Sequence, residues 1–257
     1  RRSAAPVSIV KKTSLLKGVT SNLVEAMSRI PGLTAFSSSP AVAKPFIRGL
    51  GYNRVVVIND GVRQEGQQWG DEHGLEIDEF SVNKIEILKG PASVMYGSDA
   101  MAGVINILSN VPVQEGFIKG SVLGNYQTNN RLRATSLNIG GNSNGIYWNV
   151  SGAYKAAADY RNRYDGRVYN SKFEEKNLGG YIGYNGTWGY SQLSVSSFNQ
   201  TPGMIEGERS ESGEFLKPVA GGGEAIPSMS DFNDVKAQLP YQDIRHFKLT
   251  SDNNIRI

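Results

Sequence analysis

The chain has 257 residues, a net charge of +3, no cysteine, 30 glycines and 39% hydrophobic residues, which is glycine-rich and less apolar than the globular average. So small a charge argues against the concentrated basic face of a nucleic-acid binder, and the lack of cysteine excludes a disulfide framework, a thiolate metal site and a Cys nucleophile. No stretch approaches the roughly 18 consecutive apolar residues of a membrane-crossing helix, whereas a β-barrel leaves no such run and stays open.

Residues 1–112 read as a small mixed α/β unit. Arg1 is not an initiator Met and no signal peptide is recognisable, so the natural start is expected upstream. "TSNLVEAMSRIPGL" predicts a short helix. Ser21 or Asn22 caps it, Asn22 and Glu25 have capping-box spacing, Leu23, Ala26, Met27 and Ile30 share a face, and Pro31–Gly32 ends it. "RVVVIND" (54–60) predicts a strand closed by a turn at Asp60–Gly61. "NKIEILKG" (83–90) predicts a second strand with Ile85 and Ile87 on one face. "PASVMYGSDAM" predicts a short helix or turn from Pro91, and "GVINILSN" (103–110) a returning strand.

From about Gly116 the periodicity changes from helical to two. Ile118, Val122 and Tyr126 alternate against Lys119, Ser121 and Asn125. Ile146, Trp148, Val150 and Tyr154 alternate against Asn149, Ser151 and Lys155. Leu178, Ile182 and Tyr184 share a side. Phe247, Leu249, Ile255 and Ile257 oppose His246, Lys248, Thr250, Asp252, Asn254 and Arg256. "RLRATSLNI" fits poorly, because Leu132 and Leu137 fall on opposite faces, and "YSQLSVSSFN" matches in part.

Alternation alone also suits the edge of a soluble β-sandwich. The connections discriminate. "GGNSNG" (140–145) and "NGTWG" (185–189) are tight, whereas 157–177 and Gln200 to about Asp243 are long and without evident secondary structure. Short joins on one parity and long joins on the other are the habit of a membrane barrel. The short "TNNR" turn is the awkward member. The strands are too few to close, so a fragment is expected.

At "FIRGLGYNRVVVINDGVR" and "VNKIEILKGPASVMYGSDAMAGVINI" the sequence resembles the TonB-dependent outer-membrane receptors. Residues 1–112 look like their plug domain and 113–257 like about six opening strands of their barrel. The motifs are the Arg48–Gly49 pair, the strand ending in Asp60–Gly61, and the "IEILKGPASVMYGSDAMAGVINI" stretch, where family members usually carry Arg in place of Lys89. A phosphate-binding loop is excluded, since Gly90 to Gly97 has the wrong spacing and no Lys follows. A G-x-S-x-G nucleophile elbow is absent.

The resemblance implies a mixed α/β plug domain followed by antiparallel transmembrane β-barrel strands, part of a roughly 22-stranded barrel with a plugged lumen. It places the protein in the outer membrane of a Gram-negative bacterium, with the lipid bilayer, a small nutrient and TonB as partners and no nucleic acid. TonB would pull on a box N-terminal to the plug that is not recognisable in "RRSAAPVSIV". No tightly bound cofactor is expected; a metal ion or metal complex would be cargo.

The resemblance also points to Arg48, Glu86 and Lys89 as latches that meet barrel-wall charges, mostly on strands outside this sequence. Such pairs suit a joint that holds and later releases, because removing one partner is costly. The loop 64–79 is the candidate substrate surface. Gln67, Gln68 and Trp69 supply polar and aromatic contacts. Asp71, Glu72 and His73 place two carboxylates beside an imidazole, a donor set for Zn, Ni or Fe. The adjacent reading is an ordinary salt-bridged surface His. Zinc-uptake members of the family carry an Asp-His pair just before this region, which Glu72–His73 matches with Glu for Asp.

Three functions compete. The first is a receptor importing a scarce nutrient: a metal ion, metal chelate, haem or similar. The second is a surface adhesin or interaction protein on a barrel scaffold, or a glycan or organic-nutrient receptor of the same fold. The third, an enzyme using Asp71, Glu72 and His73 as acid–base groups, lacks a nucleophile or second catalytic cluster, so a non-enzyme is expected.

Overall fold

The computed structural model describes residues 7–18, 20–219 and 221–256. Its first part is a five-stranded mixed sheet ordered β1-β6-β7-β4-β5. The strands are β1 (Val7–Lys11), β4 (Val55–Asn59), β5 (Val62–Gln64), β6 (Lys84–Lys89) and β7 (Gly103–Leu108), with β4 and β7 parallel. Two short helices, α1 (Lys12–Leu15) and α2 (Leu23–Met27), and a hairpin of β2 (Leu33–Ser37) and β3 (Ala43–Ile47) cover one face. Ile85, Ile87, Ile105, Ile107, Val55 and Val57 are fully buried there against Leu23 and Met27. Burying one such side chain stabilises by roughly 1.5–3 kcal/mol. Packing must hold α2, because five residues are too few for a helix to persist alone.

Its cap matches the spacing in the sequence. Asn22 Oδ1 accepts from Glu25 N at 2.9 Å, and Ser21 N donates to Glu25 Oε2 at 3.0 Å. Asp60 and Gly61 have φ of +49° and +83°, the conformation of a two-residue hairpin turn that matches strand twist. The sequence reading missed β1, α1 and the β2–β3 hairpin. β3 hides behind Pro45 and the charge of Lys44, both poor strand signals, yet Lys44 is fully buried.

The second part is a six-stranded antiparallel sheet ordered β17-β14-β13-β10-β9-β8. The strands are β8 (Ile118–Tyr126), β9 (Arg133–Ser143), β10 (Ile146–Ala157), β13 (Phe173–Gly186), β14 (Gly189–Pro202) and β17 (Ile244–Ile255), 9 to 14 residues long. That length spans a bilayer when tilted. No helix among the described residues is long and apolar enough to cross a membrane. Val122, Leu178 and Phe247 on the outer face are 75%, 70% and 68% exposed, an apolar band that suits lipid. Tyr126 and Tyr154 mark one end of the band, and Tyr184 stacks on Trp188 at the other. The opposite parity carries Asn, Ser and Lys and faces the first sheet.

"RLRATSLNI" fits poorly for a local reason. Leu132 precedes β9 and is buried beside Ala41, Val42 and Phe80, while Leu137 lies in the strand facing out. The tight joins shrink to Asn144–Gly145 and Thr187–Trp188, because the strands run further than their apolar residues show. Gly189 is required at the second, since a Cβ there would lie 1.9 Å from Asn254 O.

The long connections, 158–172 and 203–243, are not structureless. They hold two small hairpins, β11 (Arg161–Asn162) with β12 (Gly166–Arg167) and β15 (Lys217–Pro218) with β16 (Glu224–Ala225), and a helix α3 (Met229–Asn233). Val168, Tyr169 and Phe215 form a core between them with Tyr160, Ile205 and Phe232. Asn170 Nδ2 donates to the carbonyls of Gln238 and Pro240 at 2.8 and 2.7 Å. Lys172 and Asp159, both fully buried, pair at 3.3 Å, and burial pushes the Asp159 carboxyl up to about 6.

Two outcomes follow for the full-length protein. Leu178→Lys on the lipid side should cost roughly 2–4 kcal/mol in equilibrium unfolding from bilayers, whereas Ser196→Lys on the inner side should cost less than half of that. In intact cells, protease should cut within 203–243 and spare 144–145 and 187–188.

Candidate substrate site at the plug apex

The first sheet is held against the inner face of the second by polar contacts. Gln127 Nε2 donates to Thr20 O at 3.1 Å, and Lys155 Nζ lies 3.0 Å from Glu79 Oε1 and 3.7 Å from Glu175 Oε2. His246 Nδ1 lies 3.3 Å from Glu76 Oε2, and Lys248 Nζ lies 3.3 Å from Asp60 Oδ2. At the short-turn end, Tyr181 OH donates to Val111 O at 2.9 Å and Asn142 Nδ2 to Val113 O at 2.8 Å. Lys155 and His246 sit two residues from the long-connection ends of β10 and β17, so the loop 65–79 lies towards the long connections.

That loop is clamped from beneath. Lys44, buried in β3, directs its ammonium to the carbonyl oxygens of Trp69 and Gly70 and lies 4.5 Å over the Tyr52 ring. Burial holds the Lys44 amine below its usual range, against the opposing pull of Asp71 and Glu72. Tyr52 OH donates to Asp71 Oδ1 at 2.6 Å, Ser38 Oγ to Asp71 O at 2.7 Å, and Leu75 N to Ala43 O at 3.1 Å. Gly74 lies so close to β3 that a Cβ would meet Ala43 N at 3.0 Å.

The clamp presents Trp69, 67% exposed, beside Glu72 and His73. His73 Nε2 lies 3.6 Å from Glu72 Oε1. Asp71 is adjacent, but its carboxylate accepts from Tyr52. No group of three His, Cys, Asp or Glu side chains able to hold a metal occurs among the described residues. Glu72 and His73 are half-exposed neighbours whose carboxylate and imidazole face each other. Gln67 corrects the sequence reading: it is 1% exposed and cannot form part of a contact surface. Gln68 is half-buried, which leaves Trp69 as the exposed member of that trio.

Among the described residues, Arg48, Glu86 and Lys89 make their contacts within the plug. Lys89 Nζ donates to Pro31 O at 2.5 Å, and burial, with Arg48 nearby, lowers its amine. Glu86 pairs with Lys84 at 2.7 Å and accepts from Asn106 Nδ2 at 3.2 Å, the Lys84 contact holding its carboxyl low. Arg48 has φ of +50° and donates its backbone N–H to Gly32 O. The bridges between the two sheets use Asp60, Glu76, Glu79, Lys155, His246 and Lys248 instead. The strand alternation had already put Lys155, His246 and Lys248 on the polar side, but their partners could not be read from sequence.

Comparison with known proteins agrees with this architecture. Residues 1–104 match the family described as "TonB-dependent Receptor Plug Domain". The chain is similar to the vitamin B12 transporter BtuB of Vibrio vulnificus, 32% identical over 107 residues, covering 41% of this chain and 18% of the relative. It is also similar to the iron-regulated outer membrane virulence protein of Vibrio cholerae, 30% identical over 122 residues, covering 45% and 19%. Among solved structures, the siderophore receptor PirA of Acinetobacter baumannii superposes with a TM-score of 0.63 at 20% identity, covering 77% of this chain and 32% of that one. The copper transporter OprC superposes with a TM-score of 0.64 at 17% identity, covering 78% and 31%. At such identities the likeness shows the fold. The chain spans about a fifth of the curated relatives it matches and about a third of these two solved structures.

A plug domain lodged against a lipid-facing antiparallel wall defines an outer-membrane receptor. Residues 1–104 are a plug domain of the TonB-dependent receptor family, and the sheet that follows has the fold of part of the barrel of such outer-membrane receptors.

Lys44→Met should orphan the Trp69 and Gly70 carbonyls, costing about 1–3 kcal/mol locally. Hydrogen exchange of amides 70–75 in the full-length protein should accelerate. Asp78 gives a pH signature. Burial first, then the Glu175 charge, pushes its carboxyl up to about 7. The folded state therefore favours the protonated form. The stability it contributes is complete below about pH 4 and is lost as pH rises through about 7. Asp78→Asn should flatten thermal stability across that window and raise it at pH 8.

Proposed function

We propose that the intact protein is an active-transport receptor. It binds a scarce, metal-containing nutrient at the plug apex and outer loops and imports it with energy delivered by TonB at a box N-terminal to the plug. The observation that carries this reading is the clamped apex. Lys44, Tyr52 and Gly74 fix a loop that presents Trp69, Glu72 and His73 towards the side of the long connections. Binding groups on a rigid base need little ordering when a ligand arrives.

The donor set supports metal as the class of cargo. Carboxylate and neutral imidazole together suit divalent transition metals, and two ligands hold an ion loosely enough for a transporter to release it. The relatives' names point the same way: B12 transporter, iron-regulated protein, siderophore receptor and copper transporter. Further ligands come from the barrel wall or from a chelator that the metal brings.

The test is Glu72→Ala with His73→Ala in the full-length receptor at normal surface levels, with uptake followed under metal limitation. The expected result is a fall of about tenfold or more in capture of the metal or its chelate, the factor that roughly 1.4 kcal/mol of lost binding produces. Unchanged uptake of zinc, iron, copper and their chelates would make the pair surface charge. Growth rescue by a metal-free nutrient would shift the cargo to an organic or glycan class, with Trp69 as the remaining contact.

A further inference from the structure

The wall turns a run of small uncharged side chains towards the plug. Asn138 and Asn149 exchange reciprocal amide hydrogen bonds at 3.1 Å, and Ser151, Asn177, Ser194 and Ser196 lie beside them. Between this run and plug residues Asn59 and Asp60 is a crevice of about 70 Å³. On the short-turn side it meets a vestibule of about 780 Å³ bounded by Tyr147, Gln192, Thr250 and Asp252. Asp60 and Asn110 belong to both rims.

An ion pair spans the junction. Lys248 Nζ lies 3.3 Å from Asp60 Oδ2 and 3.3 Å from Asn59 O, with side chains 9% and 10% exposed. The other Asp60 oxygen accepts from Ser109 N and Asn110 N at 2.7 and 3.2 Å. One carboxylate thus ties the plug turn, the strand leaving the plug and the wall. Asn59 Oδ1, Asn177 Oδ1 and Asn142 Oδ1 are buried without a protein donor, the first two in the crevice and the third in the vestibule. Asn177 is 6% exposed, and its Nδ2 is fixed by Glu175 at 2.7 Å, so its oxygen offers an acceptor to the seam.

Building on the import reading, we infer that this seam is the cargo's passage past the plug, that Asp60–Lys248 is its gate, and that it favours neutral or cationic solutes rich in hydrogen-bond donors over anions. Size demands a gate. A nutrient site encloses roughly 300–1,000 Å³, so the crevice must widen, and at its junction with the vestibule the pair ties one side to the other. Breaking a nearly buried pair leaves a charge unpaired, so the gate responds to the loss of one partner. Unpaired amide oxygens accept from hydroxyls, amines or the water shell of a cation and repel anions, and Glu76 at the outer lip adds to that bias.

The test uses the full-length receptor with Ser196→Cys, labelled by cationic, neutral and anionic methanethiosulfonate reagents. Lys248→Gln should raise labelling by the cationic and neutral reagents about tenfold, the factor that roughly 1.4 kcal/mol of lost pairing produces, and labelling by the anionic one less. Lys155→Gln, which breaks a bridge nearer the long connections, should leave labelling unchanged. Labelling insensitive to Lys248→Gln in a normally melting receptor would overturn the gate, as would an equal rise in Lys155→Gln, the mark of a generally loosened plug. Equal rises for all three reagents would overturn the charge preference. Labelling as expected in a receptor that imports no metal nutrient would support the gate and count only against the cargo proposed above.

Discussion

The backbone of a strand in lipid has nowhere to send its hydrogen bonds except to the next strand, and the rest of this structure depends on that constraint. It fixes six long antiparallel neighbours in one sheet. The sheet in turn imposes a period of two, so each strand must satisfy two solvents at once. One parity meets hydrocarbon through Val122, Leu178 and Phe247; the other meets a protein plug through Asn138, Ser194 and Lys248.

The second solvent is unusual in being a folded domain. The plug has its own dry core, in which Ile85, Ile87, Ile105 and Ile107 pack on Leu23 and Met27. Its contact with the wall is instead largely polar, made of amides, hydroxyls and a few nearly buried ion pairs. An apolar seam of that area would bind too firmly to part, whereas polar groups lose little when water replaces the partner. The smaller cluster of Phe80, Leu132, Ala157 and Phe173 is the apolar exception and sits near the long connections.

The apex applies the same logic to a loop. Lys44 is a charge sunk in the fold, which is expensive unless it is fully coordinated. Two carbonyls and an aromatic face meet that need, and the loop carrying Trp69, Glu72 and His73 is held as a consequence. The two long connections share a core of their own around Val168, Tyr169 and Phe215.

The sequence by itself determined the type and order of α2, β4, β6 and β7 and of the long strands that follow. The capping spacing of Asn22 and Glu25, the Asp60–Gly61 turn and the parity of Phe247 and Leu249 depend on neighbours a few residues apart, and local chemistry decides them. It also marked the loop 64–79 as the site to watch. Only the tertiary structure decided what that loop exposes, burying Gln67 and leaving Trp69 in the open. It alone paired Lys155 with Glu79, Lys248 with Asp60 and His246 with Glu76, and gave Glu86 and Lys89 plug partners. The three pairs that bridge the sheets lie many tens to almost two hundred residues apart. Period and propensity report which face a side chain takes; which charge meets it there is set by how two separately folded sheets dock, and no local pattern encodes that.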